Sequence, residues 1–346
     1  MTCIFGCDIF EGNRKSILVS ENKNMSRLRQ EILRAFLETG DILSGEGLSK
    51  RFGVSRSSIW KHIQGLRDQG YQILSCPKLG YRLVVRPDGL LPAEIRAGLS
   101  TKIIGKEILH FKEISSTNDL GLKLARQGYP EGTLIIAECQ SCGRGRLGRS
   151  WISPEGGIYL SLILRPQASP DLVPFLILLA GVAVAKGIRK ILNLPLLLKW
   201  PNDLLINGKK VSGILTEMEA ELDKVNFTVV GIGINVNVRA DQLPERPDYP
   251  AISLMVEMGR EVDRRPLLQE ILLAIEDGYL EFKAGNYTSI LEAYRELDGI
   301  LGKKAKIKTL QGVIEGEAEG IEKDGALRLR LSNGRVKRIR SGEVIL

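Results

Sequence analysis

The spacing of apolar residues over 25–88 predicts three short helices followed by a hairpin. Apolar residues recur every three or four positions over 27–40, the pattern of an amphipathic helix that ends at a glycine. A second helix is predicted over 44–52, and a third over 55–70 begins at a serine that can cap it. Two apolar strands within 71–85 flank a loop that contains proline and glycine. This order of elements predicts a winged helix-turn-helix domain.

The pattern over 92–299 alternates between strands and helices. Strands are predicted over 107–111, 133–138, 158–164, 196–200, 203–206, 209–217 and 227–232, and helices over 118–127, 174–192, 265–284 and 287–297. The dipeptide Asn207-Gly208 is a strong signal for a two-residue hairpin turn. Because hairpins and helical crossovers are mixed, we expect an α+β domain in which a mixed sheet carries packed helices.

The two ends of the chain differ from this middle region. Short alternating strands over 300–346 are separated by glycine-containing turns, which predicts a small β-barrel. Residues 1–24 show no clear period, and we interpret them as a tail or a misassigned start to which we assign no function. The predicted domains after that segment are therefore 25–88, 92–299 and 300–346.

The composition is typical of a soluble globular protein of more than one domain. The chain has 346 residues, of which 43% are hydrophobic and 26% are charged. The apolar run over 172–185 contains Pro174 and Gly181 and is shorter than the roughly 20 residues of a membrane span, so it predicts a buried helix. Asp8 and Glu11 interrupt any signal-peptide core at the N-terminus. We therefore expect a cytoplasmic protein with no membrane partner.

The five cysteines make a poor disulfide framework, because their number is odd and they are scattered. Cys139 and Cys142 have redox or zinc-ligand spacing, and Cys3 with Cys7 could complete a four-sulfur site. The favoured interpretation is that the pair packs beside a glycine-rich loop. The chain has only two histidines, which argues against His-based catalytic triads and His-rich metal centres.

The net charge of +8 is unevenly distributed. Between residues 50 and 86 there are eight basic residues against Asp68 alone, a plausible electrostatic footprint for nucleic acid. The third predicted helix presents its candidate DNA contacts in its N-terminal half: Ser55, Arg56, Ser57, Ser58, Lys61 and His62. The alternative is a small helical domain whose charged face is merely solvated.

Two cationic segments carry the candidate chemistry. The loop from Gly143 to Trp151 places three arginines among three glycines, so its backbone can approach a ligand while guanidinium groups hold a phosphate or carboxylate. Lys199-Trp200-Pro201-Asn202-Asp203 follows about fifty positions later. We expect both segments to converge around a single anion-handling pocket.

Five segments together resemble the family of bifunctional biotin protein ligases that also repress the biotin operon. They are Ser116-Thr117-Asn118, the loop from Gly143 to Trp151, the segment from Lys199 to Asp203, Val211-Ser212-Gly213-Ile214-Leu215, and Gly231-Ile232-Gly233-Ile234-Asn235. The resemblance runs from about Met25 to the C-terminus. It implies a class II synthetase-like catalytic domain and an SH3-like C-terminal barrel.

The resemblance also implies the activity and the partners. Such ligases join biotin to ATP as biotinyl-5'-AMP and pass the acyl group to a lysine of a biotin carboxyl carrier protein. The adenylate then acts as corepressor at operator DNA, and two-fold operators imply a homodimer. Magnesium is expected with the ATP phosphates, without a dedicated metal site in the protein.

The resemblance assigns the site residue by residue. Biotin contacts are expected from Ser116, Thr117, Asn118, Gln140, Arg144, Gly145, Arg146, Lys199, Gly231 and Gly233, and ATP or adenylate contacts from Arg146, Arg149, Trp151, Lys199, Asn202 and Asn235. The catalytic group is Lys199 with Arg144 and Arg146, because cations cancel the repulsion between a carboxylate and the α-phosphate. Many relatives carry arginine where Leu147 stands here, and Trp200 is expected in the core.

Several residues also have simpler explanations. Ser116 and Thr117 can cap a helix, and Gly231 and Gly233 can let the backbone approach a ligand or mark a bulge. Two other functions fit parts of the sequence. One is a DNA-binding regulator that senses a small ligand without ligase activity, and the other is a lipoate-type acyl ligase.

Overall fold

The computed structural model describes residues 27–87, 89–244, 250–322 and 324–345. The chain divides into two compact units, Met1–Pro87 and Asp88–Leu346, and each is described by itself. Residues 1–24, predicted to be a tail or a misassigned start, lie outside the described residues.

The described part of the first unit, residues 27–87, contains three helices and one hairpin. The elements are α1 (Arg27–Thr39), α2 (Gly45–Phe52), α3 (Arg56–Arg67), β1 (Gln72–Cys76) and β2 (Gly80–Val85). Ser55 caps α3, since its side chain accepts a hydrogen bond from the Ser58 N–H at 3.2 Å. Ile32, Ile59 and Ile63 are at most 1% exposed and form its core with neighbouring apolar residues. The predicted winged helix-turn-helix fold is confirmed.

The second unit is built on a seven-stranded mixed sheet. Its strands and helices are α4 (Pro92–Ala97), β3 (Ile108–Ile114), α5 (Thr117–Arg126), β4 (Leu134–Gln140), β5 (Ile158–Leu164), α6 (Val173–Leu192), β6 (Leu197–Lys199), β7 (Asp203–Ile206), β8 (Lys209–Glu221), β9 (Lys224–Ile234), α7 (Leu254–Met258), α8 (Arg264–Lys283) and α9 (Thr288–Leu297). The strand order is β3-β4-β5-β9-β8-β7-β6. Strands β3 and β4 are parallel and the other neighbours are antiparallel, which confirms the predicted mixed sheet.

Helices cover both faces of this sheet. Successive residues of a strand point to opposite faces, so alternate residues of one strand pack against different helices. Val230 and Ile232 of β9 belong to the main core with α6 and α8. Phe227 and Val229 of the same strand belong to a second cluster that includes Leu120 of α5. Helix α6 with its preceding turn is apolar and long enough to span a membrane by length and composition, but most of that stretch is buried inside the unit.

The C-terminal segment forms a five-stranded antiparallel sheet. Its strands are β10 (Lys304–Thr309), β11 (Gly312–Ile321), β12 (Leu327–Arg330), β13 (Val336–Ile339) and β14 (Glu343–Ile345), in the order β13-β12-β11-β10-β14. This arrangement agrees with the predicted small barrel. Ile307 and Leu329 join the main core, and the Trp200 Nε1–H donates to the Gly325 carbonyl at 3.0 Å. Trp200 is 1% exposed, as expected of a core residue.

The structure differs from the sequence pattern in two respects. Helices α4 and α7 were not predicted, because helices of six and five residues are too short to show a full helical period. Strands β8 and β9 run beyond the predicted ends and form one long hairpin, with Leu222 at φ 44° in its turn. No sequence signal of the Asn-Gly type marks that turn.

Candidate functional site

Two adjoining cavities open where β4, β6, β8 and β9 meet the arginine-rich loop 143–151. The larger one, of about 990 Å³ counted to its mouth, is lined by Gly145, Arg146, Leu147, Arg149, Ser150, Trp151, Ile152, Lys199, Trp200, Pro201, Asn202, Asp203, Lys210, Asn235, Pro244, Ala251 and Glu343. The smaller one, of about 470 Å³, is lined by Ser116, Thr117, Asn118, Gln140, Arg144, Gly145, Arg146, Trp151, Leu160, Asn202, Lys210, Gly213, Ile214, Leu215, Gly231, Ile232 and Gly233. Five residues line both cavities: Gly145, Arg146, Trp151, Asn202 and Lys210.

A hydrogen-bond network fixes the polar end of the smaller cavity. The Thr117 N–H and hydroxyl donate to Gln140 Oε1 at 2.8 and 3.1 Å, and Gln140 Nε2 donates to Ser153 Oγ at 2.9 Å. The hydroxyl of Ser161 lies 2.9 Å from Thr117 Oγ1 and 2.6 Å from Asn118 Oδ1. Short polar groups are thus held rigidly beside an apolar wall, which suits a ligand with one polar and one apolar end.

The predicted capping role applies to one of two adjacent residues. Ser116 is the N-cap of α5, and its hydroxyl accepts from the Asp119 N–H at 3.3 Å. Thr117 is not a cap. It is the first residue of the helix, and both its N–H and its hydroxyl donate to Gln140 instead. The expectation of capping by Thr117 is therefore wrong, because the helix already begins at Thr117 and the capping position belongs to Ser116.

Three glycines make room for side chains of the site. Gly213 and Gly233 are paired across β8 and β9, and Trp151 lies against both. A Cβ atom on Gly233 would lie 2.5 Å from Trp151 Nε1, and one on Gly231 would lie 2.1 Å from Asn118 Oδ1. The space beside each of Gly231 and Gly233 is filled by a side chain that lines a cavity. Both glycines also line the smaller cavity themselves, and the approach of their backbone to a ligand stays a prediction.

Arg144 lies at the rim of the smaller cavity between two carboxylates. Its Nη1 donates to Asp119 Oδ1 at 2.5 Å and its Nη2 donates to Glu217 Oε1 at 2.8 Å. Glu217 also accepts from Asn118 Nδ2 at 3.0 Å. Burial acts to lower the pKa of Arg144, but Asp119 and Glu217 outweigh it and raise that pKa. The guanidinium is therefore positioned before any anion arrives.

Arg146 is a half-buried cation in the wall between the cavities. Its Nη1 donates to Asn202 Oδ1 at 3.1 Å and to the Gly342 carbonyl at 3.4 Å. Asn202 is fixed in turn, because its Nδ2 donates to the Ile214 carbonyl at 2.9 Å. Burial lowers the pKa of Arg146, while the charges of Asp203 and Glu343 oppose that effect. A bound anion would stabilise this desolvated charge.

Lys199 lines only the larger cavity, at the end of β6. It is 5% exposed, and burial lowers its pKa against the opposing charge of Asp203. Arg144 lines only the smaller cavity, so the two residues do not share a single pocket as we expected. Each faces its own cavity because the loop around Arg146 and Trp151 lies between them. The two cationic segments therefore meet at a common wall rather than in one chamber.

Lys210 is a candidate residue that the sequence did not reveal. It lines both cavities, its Nζ lies 2.6 Å from Asp203 Oδ1, and it stands 5.2 Å from the centre of the Trp151 ring. That last distance is within the range of a cation–π interaction. In sequence it follows Asn207-Gly208 and looks like an exposed residue at the start of a strand. Only the pairing of β7 with β8 brings it to the site.

The remaining candidates surround the larger cavity. Arg149 pairs with Glu343 of β14, and Asn235 Nδ2 donates to the Ile252 carbonyl at 3.2 Å. Asn235 is 4% exposed. Leu147, at φ 57° and 65% exposed, lies at the mouth where many relatives are expected to carry arginine. Its side chain adds an apolar surface at that point.

The cysteines of the Cys-x-x-Cys spacing lie next to the smaller cavity. Cys139 and Cys142 are free thiols, and the Sγ of Cys139 lies 3.4 Å from the Lys112 carbonyl oxygen. Burial, with nearby acidic residues, raises the pKa of the Cys139 thiol. Cys3 and Cys7, which could complete a four-sulfur site, lie outside the described residues.

The candidate DNA contacts lie at different places around α3. Arg56, Ser57 and Lys61 are exposed, while Ser55 and Ser58 form the helix cap. His62 is partly buried on another side of the helix, and burial with the charge of Arg29 lowers its pKa. Its position makes it a weaker candidate than the three exposed residues.

Three family models match this chain. One described as "Biotin/lipoate A/B protein ligase family" matches residues 110–237. A model described as "HTH domain" matches residues 28–82, and one described as "Biotin protein ligase C terminal domain" matches residues 300–346. The first model covers most of the residues that line the two cavities.

Full-length relatives are also similar. The chain is 41% identical to "Bifunctional ligase/repressor BirA" of Bacillus spizizenii over 323 residues, which cover 93% of this chain and 99% of that protein. It is 33% identical to the protein of the same name from Escherichia coli, over 91% of this chain and 96% of that protein. Among solved structures, "Biotin protein ligase from Aquifex aeolicus in complex with biotin and ATP" is 35% identical with a TM-score of 0.60, covering 69% of this chain and 97% of that one.

Proposed function

Because the chain belongs to the family of bifunctional biotin ligase/repressor proteins, we infer that it is both a biotin ligase and a transcriptional repressor. One observation supports the ligase function most directly. Arg146, Trp151, Asn202 and Lys210 line two adjoining cavities at once. A ligand in one cavity and a ligand in the other would meet at these residues, as a reaction between two substrates requires.

We propose that biotin occupies the smaller cavity and ATP the larger one. The smaller cavity offers hydrogen-bonding groups at one end and apolar side chains such as Leu160 and Ile232 along its wall, which suits a ureido ring and a thiophane. The biotin contacts that we propose are Ser116, Thr117, Asn118, Gln140, Arg144, Gly145 and Arg146. Gly231 and Gly233 contribute by leaving space for Asn118 and Trp151.

The reaction at the common wall would join two anions. A carboxylate oxygen of biotin attacks the α-phosphorus of ATP, the bond to the β-phosphate oxygen breaks, and pyrophosphate leaves with the displaced electron pair. Arg146, Lys199 and Lys210 would hold the carboxylate and α-phosphate together and stabilise the extra charge of the transition state. Each is already partly desolvated in the protein, which strengthens its interaction with an anion.

The nucleotide would be held by residues of the larger cavity. We propose Arg149, Trp151, Lys199, Asn202 and Asn235 for this role, with the Trp151 indole covering the adenylate. We propose that magnesium enters with ATP and is bound mainly through phosphate oxygens, the kind of ligand that it prefers. The arginine-rich loop beside the larger cavity would also shield the reactive adenylate from water.

The finer parts of the function are proposals as well. The acyl group would pass to a lysine of a biotin carboxyl carrier protein, and the adenylate would act as corepressor of a homodimer on two-fold operator DNA. We also propose a cytoplasmic location without a membrane partner, because ATP, the carrier protein and operator DNA would all be met there. We also propose domain boundaries at 25–88, 92–299 and 300–346.

Incubation with biotin, MgATP and a carrier domain tests the enzyme. We expect ATP-dependent release of pyrophosphate and the mass of one biotinyl group on a single lysine of the carrier. Specific DNA binding without pyrophosphate release would indicate a ligand-sensing regulator instead. Preferential transfer of lipoate from an equimolar mixture of the two acids would indicate a lipoate-type acyl ligase.

A further inference from the structure

The exposed face of α3 carries an aromatic residue that the charge pattern did not single out. Ser57, Trp60, Lys61 and Gln64 recur at the spacing i, i+3, i+4, i+7 and share one side of the helix. Ile59 and Ile63 lie on the other side and are at most 1% exposed. Trp60 is 51% exposed and lies in the middle of this side of the helix. In a helix-turn-helix protein this is the side that the recognition helix turns toward DNA.

A chain of hydrogen bonds holds this indole in place. We assign the orientation of the Gln64 amide from its two neighbouring donors, so that its oxygen rather than its nitrogen faces them. In this orientation Gln64 Oε1 accepts from Trp60 Nε1 at 3.2 Å and from Arg67 Nη1 at 2.8 Å. Arg67 is anchored in turn to the hairpin, where its Nε and Nη2 donate to the Ile73 carbonyl at 2.9 and 2.5 Å and its Nη2 donates to Ser75 Oγ at 3.0 Å.

The network determines what Gln64 can offer a base. An amide oxygen has two lone pairs, and here Trp60 and Arg67 occupy both. Gln64 therefore cannot pair with adenine in the usual bidentate way, which needs the amide oxygen as an acceptor. It can still present its NH₂ group as a donor. Trp60, whose N–H is engaged by Gln64, presents an apolar surface next to that donor.

One base matches this pair of groups in the major groove. Thymine presents the O4 acceptor beside the C5-methyl group, whereas guanine has acceptors without a methyl and cytosine presents a donor. We propose that Trp60 and Gln64 together read a thymine in the operator, Trp60 by contact with the methyl group and Gln64 by donation to O4. This inference rests on the proposed function as a DNA-binding repressor, and it names the base that the site recognises.

Duplexes that carry modified bases test each contact separately, with the protein itself unaltered. The full-length protein, with biotin and ATP present, would first select its preferred duplexes from a random-sequence pool. Each thymine of the selected site would then be replaced, in one half-site, by uracil, which lacks the methyl group. The same positions would be replaced by 5-methylcytosine paired with guanine, which keeps the methyl but exchanges O4 for an amino donor.

We expect one thymine at which both replacements weaken binding. Loss of one buried methyl group corresponds to about a fourfold increase in Kd. Exchange of the acceptor for a donor leaves two donors facing each other, so the increase is expected to be roughly tenfold or more. These measurements use the unaltered protein and do not depend on the folding of any variant.

Three variants assign the two effects to their residues. Trp60→Ala should abolish the difference between thymine and uracil while leaving pyrophosphate release unchanged. Gln64→Glu keeps acceptors for Trp60 and Arg67 but removes the NH₂ donor, so the preference at that position should change from thymine to cytosine. Lys61→Ala is the matched control on the same face. It should weaken all duplexes by a similar factor and preserve the thymine-to-uracil ratio.

The possible failures are distinguishable. If the wild-type protein selects no sequence from the pool, specific DNA recognition is overturned, and the thymine reading with it. If it selects a site but binds duplexes with thymine, uracil or 5-methylcytosine equally at every position, only the recognition of thymine by Trp60 and Gln64 is overturned. A Gln64→Glu protein that still prefers thymine would contradict the role of the amide donor.

Discussion

Arg149 of the arginine-rich loop and Glu343 of the last strand form a bidentate ion pair. The Arg149 Nη1 and Nη2 atoms lie 2.7 and 2.6 Å from the two carboxylate oxygens of Glu343. The pair ties the C-terminal sheet to the loop beside the larger cavity, which Glu343 also lines. Both side chains are partly exposed, so the pair should add little to stability. Its main effect is to fix the position of the loop.

Glu343→Ala should therefore slow adenylate formation without unfolding the protein. We expect a decrease of roughly tenfold in the rate of pyrophosphate release, because the loop loses one fixed end. The melting temperature should change by no more than about 2 °C. Glu315→Ala is the matched control, since Glu315 pairs with Lys306 on the same sheet away from the cavity. Equal rates of pyrophosphate release in the two variants would show that the ion pair between Arg149 and Glu343 has no role in catalysis.

Gly233→Ala tests whether the position of Trp151, which packs against Gly213 and Gly233, matters for activity. The added methyl group would lie 2.5 Å from Trp151 Nε1, so the indole must move away from the common wall. We expect adenylate formation to fall roughly tenfold or more, because small displacements in a site cost large factors in rate. At Gly320 an added Cβ meets nothing within 4 Å, which makes Gly320→Ala the control. Normal activity of Gly233→Ala would mean that the position of the indole does not matter.

Glu138 provides a prediction for stability against pH. It accepts from His110 Nε2 at 3.0 Å, Arg264 Nη1 at 2.8 Å and the Leu90 N–H at 2.8 Å. Burial acts to raise the pKa of Glu138, but the hydrogen bond from His110 and the charge of Arg264 outweigh it and lower that pKa from 4.5 to about 2. A lowered carboxyl pKa stabilises the fold above the unfolded value, here by about 3 kcal/mol.

That contribution is complete above pH 4.5 and is lost as the pH falls from 4.5 toward 2. Urea unfolding between pH 7 and pH 3 would measure it. The free energy of unfolding of the wild type should fall more steeply below pH 4.5 than that of Glu138→Gln, which has no carboxylate to protonate at this position. Parallel pH profiles for the two proteins would contradict the lowered pKa.

Local signals in the sequence predicted the helices and strands, but not the contacts between distant residues that build the site. The Ser116 cap and the buried Trp200 could be recognised because each depends on its immediate neighbours or on its apolar size. Lys210 could not, since its role depends on the register of β7 and β8. The contact between Arg149 and Glu343 joins residues 194 positions apart, and no periodicity encodes such a contact.

The division into two cavities was also beyond local reasoning. Glycine-rich composition indicated that a backbone or ligand comes close to Gly231 and Gly233, but not that the neighbours are Asn118 and Trp151. Likewise the basic excess of the first unit indicated DNA, whereas Trp60 and Gln64 became candidates only through their hydrogen bond. In each case the missing information was a contact between side chains.

Adenylate formation by a Lys199 variant tests the central claim most directly. Lys199→Met keeps an apolar stem in the buried position but removes the charge, and an unchanged circular-dichroism spectrum would show that the protein is folded. We predict that pyrophosphate release falls by about a hundredfold or more, while Lys190→Ala, which removes an exposed lysine paired with Glu270, has the wild-type rate. Wild-type pyrophosphate release from the folded Lys199→Met protein would contradict the account.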